Sequence, residues 1–134
     1  MVGEKDLARL IAGMAPVLFG EAWGFAFAPD DFAAGLKLGA EDFALIREAE
    51  GLTLIAPVAR LEALGLDAGA PMARISLGVH SALEAVGLTA AIAGALADAG
   101  VSANVVAGFY HDHIFVPWDD RAAAMVVLEG LAGA

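Results

Sequence analysis

Apolar and polar positions alternate along this chain in patterns that lay out its elements. Leu7, Leu10, Ile11 and Met14 recur at helical spacing within Glu4–Met14, and Pro16 stops that helix. Val17–Phe19 and Ala22–Ala28 read as two strands separated by Gly20-Glu21. Trp23, Phe25 and Phe27 alternate with Gly24 and Ala26, which predicts one aromatic face turned to the core. Pro29–Gly39 carries Pro, Asp and Gly and reads as a surface loop. Phe43–Glu48 and Leu52–Ala56 predict two strands around a Glu50-Gly51 turn, and Pro57 opens a helix running to Leu64. Gly65, Gly69 and Pro71 then mark a boundary, giving an expected N-terminal module 1–68 and C-terminal module 69–134.

The second half is more regular. In Met72–Val79, Ile75, Leu77 and Val79 point one way, and Arg74, Ser76, Gly78 and His80 the other. One buried and one open face is the pattern of an antiparallel sheet. Leu88–Ala99 predicts a helix with a Leu88, Ile92, Ala95, Leu96, Ala99 stripe and Gly100 as its C-terminal cap. Val101–Phe109 and His113–Val116 predict strands joined tightly through Tyr110-His111-Asp112. Asp119 is placed to cap a last helix, Asp120–Leu131, with Ala122, Met125, Val126 and Leu128 inward and Trp118 stapling its start. Strand, helix, strand, strand, helix is a ferredoxin-like α+β unit without its last strand. That strand must come from the first half or from another chain, because a bare sheet edge invites aggregation.

Composition narrows the function classes. Apolar residues make up 60% of the 134 positions, so a packed core is expected and disorder is not. The charge-free stretch Ala85–Ala97 has 13 residues, short of the roughly 20 that a membrane span requires. Seventeen acids against seven bases give a net charge of −10, the wrong sign for nucleic acid or anionic lipid. Cysteine is absent, which removes disulfides, thiolate metal sites and a Cys nucleophile. The charged start, Met-Val-Gly-Glu-Lys-Asp, lacks the apolar core of a signal peptide, so a cytoplasmic location is the default expectation. Neither a phosphate-binding Gly-rich loop nor a Gly-x-Ser-x-Gly elbow occurs.

Gly87-Leu88, Ile92, Ala95-Leu96, Ala99-Gly100-Val101 and Asn104 together resemble the ACT domain signature. There, a Gly-Leu pair opens the first helix and an Ala-Gly-Val turn leads to an Asn in the second strand. His80–Gly100, Val101–Val116 and Glu48–Ile55 are further similar to small stand-alone bacterial proteins that carry two ACT-like modules. Their C-terminal module is related to those of aspartate kinases and CASTOR-type arginine sensors. Ala82 stands where that pattern usually has Ser, and Phe109 where it has Tyr, so two hydroxyls are missing. The resemblance implies two ferredoxin-like βαββαβ modules side by side. Their shared antiparallel sheet would have about eight strands with helices on one face. It implies a small-molecule-binding role, an amino acid or similar zwitterion at a module interface; the expected protein is a non-enzymatic regulator without a cofactor, and the missing strand adds the expectation of a homodimer.

On this basis the candidate ligand-binding residues are His80, Ser81, Leu83, Glu84, Gly87, Leu88, Asn104, Tyr110 and Asp112. The His80–Gly87 segment lies between strand and helix, where free N–H groups attract a carboxylate. Ser81 can donate or accept, and Glu84 can pair with an ammonium group. The plain alternative is that Ser81 caps a turn and Glu84 is solvated. Asn104 serves either a ligand or the turn after Gly100. Asp112 serves either a ligand or the hairpin. Arg47-Glu48-x-Glu50-Gly51 either closes the site from the first half or is an ordinary exposed hairpin. Two other readings stand beside the sensor. One is a metal-binding protein or metal-dependent enzyme using His80, His111 and His113. The other is a protein–protein adaptor docking through a sheet edge or an apolar helix surface.

Overall fold

The computed structural model describes residues 6–33, 35–80, 82 and 86–133. Along the chain run α1 (Leu7–Ala12), β1 (Pro16–Ala28), α2 (Asp30–Ala33), β2 (Ala44–Glu48), β3 (Gly51–Pro57) and α3 (Val58–Ala63). There follow β4 (Met72–Leu77), α4 (Leu88–Asp98), β5 (Asn104–Ala107), β6 (Asp112–Pro117), a 3-10 turn (Trp118–Asp120) and α5 (Arg121–Gly133). The strand order is β2-β3-β1-β4-β6-β5. Two compact units share this path: residues 1–20 with 73–134, and residues 21–72. The expected break at Gly20-Glu21 does not occur, because these two exposed residues stay extended within one 13-residue strand.

In the first unit, α1 starts where the Asp6 carboxylate accepts the Arg9 N–H at 3.0 Å. β4 buries Ala73, Ile75 and Leu77 and turns Arg74 and Ser76 the other way, as its alternation predicts. α4 buries Leu88, Ile92 and Leu96, and Gly100 after it adopts a φ of +77°. These side chains join Leu10, Met14, Ile114, Val116 and Leu128 in one core between sheet and helices. The hairpin β5–β6 pairs Asn104 with Phe115 and Ala107 with Asp112. β5 is shorter than the expected Val101–Phe109: Val101 turns into the core, and Phe109 is 64% exposed.

The strand missing from this unit is supplied by β1. The Gly78 N–H donates to the Met14 carbonyl at 2.9 Å and the Ala15 carbonyl at 3.1 Å. The start of β1 therefore lies beside the end of β4, and the two run antiparallel. Taking a strand from the first half in this way gives a sheet of six strands rather than the expected eight among the described residues.

α5 corrects a second expectation. It buries Ala124 and Leu128, half-buries Met125, leaves Ala122 exposed and exposes Val126 by 71%. Asp119 lies inside the preceding 3-10 turn, which opens at Pro117 without a side-chain cap. Arg121 secures that turn instead, donating to the Trp118 carbonyl at 2.7 Å with its guanidinium 3.9 Å above the Trp118 ring.

The second unit pairs β2, β3 and the rest of β1 antiparallel, with Trp23 opposite Pro57 and Ala44 opposite Ile55. Its core is Ala26, Leu54, Ala56 and Leu61, flanked by Leu36, Leu64, Leu66 and Ala68. The small face of β1 is therefore the packed one. A Cβ on Gly24 would stand 2.6 Å from the Ala68 carbonyl oxygen and 2.8 Å from the Leu61 Cδ1. The opposite, aromatic face holds a buried Trp23, edge-on to Phe43 at 6.5 Å, but leaves Phe27 52% exposed. The expected loop Pro29–Gly39 contains the four-residue α2.

Candidate functional site

The elements of the first unit bring part of the expected set together at the end of the β5–β6 hairpin. The Gly108 N–H donates to the His111 carbonyl at 2.8 Å and closes the turn. A side chain at Gly108 would meet that carbonyl at 2.9 Å, so the turn is built around glycine. Tyr110, 53% exposed, extends from this turn. Its ring lies 5.2 Å from His80 and 4.9 Å from Phe109 between centroids. His80 and His111 stand 6.5 Å apart. The His111 Nδ1–H donates to the Val79 carbonyl at 3.2 Å, tying the turn to the end of β4. His80, Tyr110 and His111 thus form a polar aromatic cluster just beyond the end of β4.

α4 opens at Gly87 with a φ of +99° and no side-chain cap. Its first helical bond runs from the Ala91 N–H to the Gly87 carbonyl at 2.9 Å. The three N–H groups before Ala91 receive no intrahelical bond and point along the helix axis, where a carboxylate is favoured. The Leu88 side chain is buried in the core, so only its backbone is available to a ligand. Asp112 is 7% exposed. Asn104 is exposed at the far end of β5, three ladder positions from the turn, roughly 10 Å along the strand. The structure therefore groups His80 with Tyr110 and separates both from Asn104. Ser81, Leu83 and Glu84 lie outside the described residues.

β6 begins at Asp112, so His111 belongs to the turn and does not share a strand face with His113. His113 lies on the sheet, with Nδ1 2.7 Å from Ser76 Oγ. The Arg74 Nε–H donates to the same hydroxyl oxygen at 3.3 Å, and its guanidinium covers the Phe19 ring at 4.0 Å. Burial lowers His113 from 6.5 to about 4, helped by the charges of Arg74 and then His111. Its ring is thus neutral at neutral pH and committed to a sheet network. Among the described residues, no three His, Asp or Glu side chains gather as a metal site, so the His80/His111/His113 set is not assembled.

This Phe19–Arg74–Ser76–His113 chain was not foreseen as a unit. Its signal was the outward phase of Arg74 and Ser76, but the partners on β1 and β6 are distant in sequence. Arg47–Glu50 form the exposed part of a hairpin that closes on a buried Gly51, and the Thr53 hydroxyl donates to the Glu48 carboxylate.

A sheet backed by helices, completed by a strand from the first half, and a glycine-opened helix after its central strand define a domain of the ACT type. Two family models describe the same assignment: an ACT domain over residues 71–130 and an ACT domain over residues 2–73. The chain belongs to the ACT domain family.

Among solved structures, the chain is 42% identical to a Vibrio cholerae protein of unknown function, described as a possible transport protein. That match covers 96% of this chain and 97% of the other, with a TM-score of 0.81. An Agrobacterium tumefaciens protein matches at 17% identity over 89% of each chain, TM-score 0.69. The regulatory subunit of aspartate kinase from Thermus thermophilus, in its ligand-free form, shares the fold at 14% identity and TM-score 0.58. That match covers 90% of this chain and 98% of the subunit. No curated protein matches the chain. ACT domains generally bind amino acids in regulatory roles. Among the described residues, no helix is long and apolar enough to cross a membrane.

Proposed function

We propose that this protein is a non-enzymatic sensor of an amino acid or a similar zwitterion, acting as a homodimer. The observation that carries this reading is the uncapped start of α4 at Gly87. It offers backbone N–H groups to a carboxylate, with no side-chain cap among the described residues. The segment before it begins at His80, whose ring packs on Tyr110. In this reading Ser81 and Glu84 complete the site, with Glu84 receiving the ligand ammonium. Leu83 and Asp112 line it. Residues 1–68 and 69–134 are the two modules, divided in the Gly65–Pro71 segment. Binding changes a subunit contact.

A thermal-shift screen against the common amino acids tests this. A ligand held at a hundred times its Kd stabilises the fold by ~2.7 kcal/mol. The expected result is a dose-dependent rise in Tm with one amino acid or one chemically related group. The rise is abolished in Glu84→Ala. Indifference to all of them contradicts the proposal.

A further inference from the structure

A cavity in the second unit is separate from the site above. It has a volume of about 360 Å³ and is lined by Phe32, Gly35, Leu36, Lys37, Arg60 and Leu64. Its origin is local. In the first unit, the crossover after β4 forms the 11-residue α4 and covers the sheet. The crossover after β1 forms only the four-residue α2, leaving a hollow between that segment and α3. The volume falls at the small end of ligand pockets, ~300–1,000 Å³.

Three lining residues, Phe32, Leu36 and Leu64, are apolar, and Leu36 and Leu64 flank the core of this unit. Both charged lining residues are cations, in a chain of net charge −10 with seven bases. Arg60 is fixed from behind. The Asp42 carboxylate, fully buried, accepts its Nε–H at 3.1 Å and its Nη2–H at 3.3 Å. The Lys37 carbonyl accepts from Nη2 at 3.2 Å, and Glu41 stands 3.5 Å from Nε. These partners neutralise Arg60 but engage only Nε and Nη2 among the described residues, leaving the Nη1 donors. The exposed Lys37 ammonium is the second cation of the lining. An oriented guanidinium with spare donors, one ammonium and an apolar wall together fit one chemistry.

We propose that this cavity binds a small apolar monocarboxylate, with its carboxylate at Lys37 and the Arg60 Nη1 and its hydrocarbon or ring against Phe32, Leu36 and Leu64. The proposal is independent of the sensor site at α4.

The test is a ¹H–¹⁵N NMR titration of the full chain with 3-phenylpropionate, and with 3-phenylpropanol as its uncharged counterpart. The expected result is saturable shifts at the amides of Gly35, Leu36, Lys37 and Leu64, with a Kd on the order of 1 mM or tighter. The alcohol binds at least about threefold more weakly, and so does the carboxylate to Lys37→Gln, a surface change that leaves the fold intact. Any of three results overturns it: no saturation by about 10 mM, shifts only elsewhere, or equal affinity for acid and alcohol. Unchanged affinity in Lys37→Gln overturns the assigned carboxylate position.

Discussion

Ser76 Oγ and His113 Nδ1 stand 2.7 Å apart, joining β4 to β6 on the sheet face away from the α4–α5 core. The burial of His113, helped by the charge of Arg74, makes stability pH-dependent. His113 titrates at about 4 in the native protein and at the ordinary 6.5 when exposed. Between those values the unfolded chain binds a proton that the native ring refuses, so falling pH favours unfolding. The contribution is intact above 6.5, is lost progressively as pH falls, and levels off below about 4. Because the ring is only partly shielded, the expected loss is on the order of 1 kcal/mol. Denaturant melts at several pH values in wild type and His113→Gln check this. The variant is expected to lose less stability across the window.

Gly24 and Gly20 lie on the same strand and predict opposite outcomes. Gly24→Ala drives a methyl toward a backbone carbonyl at 2.6 Å and is expected to cost ~1–3 kcal/mol. Gly20 has nothing within 4 Å of a new Cβ. Gly20→Ala is expected to be neutral or to stabilise by ~0.5 kcal/mol, since glycine weakens a strand. Chemical denaturation of the two variants makes the comparison.

The inward face of α5 can be read by a third pair. Leu128→Ala empties a fully buried site and is expected to cost ~2–5 kcal/mol. Val126→Ser alters a residue that is 71% exposed and is expected to stay within ~0.5 kcal/mol of wild type. Equal costs would show that α5 is turned on its axis.

These contrasts also mark where the sequence was legible. β4, α4 and the β5–β6 hairpin are set by local patterns: strict alternation, a Leu-Ile-Leu stripe and a glycine cap. The ACT family was legible for the same reason, because its signature lies in that stretch. The face of α5 was not, since Arg121–Leu128 reads Arg-Ala-Ala-Ala-Met-Val-Val-Leu and is apolar all round after its first residue. Likewise the aromatic side of β1 has the larger apolar surface, but Leu61 and Ala68 close onto the glycine side. That choice depends on residues some forty positions away. The strand count went the same way: the first half supplies the strand beside β4, so modules need not bring four strands each. At the candidate site, His80 and Tyr110 were expected and meet. Asn104 was grouped with them by motif, whereas the ladder puts it at the other end of β5.

Tyr110 and His80 can be separated from the fold. Tyr110 is 53% exposed, so Tyr110→Ala is expected to change stability by less than ~1 kcal/mol. It is expected to weaken amino-acid binding at least about tenfold, the loss of one well-placed contact. Isothermal titration alongside thermal melts distinguishes a binding role from a structural one.

The most direct test is to map the ligand. A ¹H–¹⁵N titration with the amino acid that raises Tm is predicted to shift the amides of His80, Gly87, Leu88, Tyr110 and Asp112 in a saturable way. Shifts absent there, or confined to residues 32–37 and 60–64, would contradict the assignment of the sensor site to the start of α4.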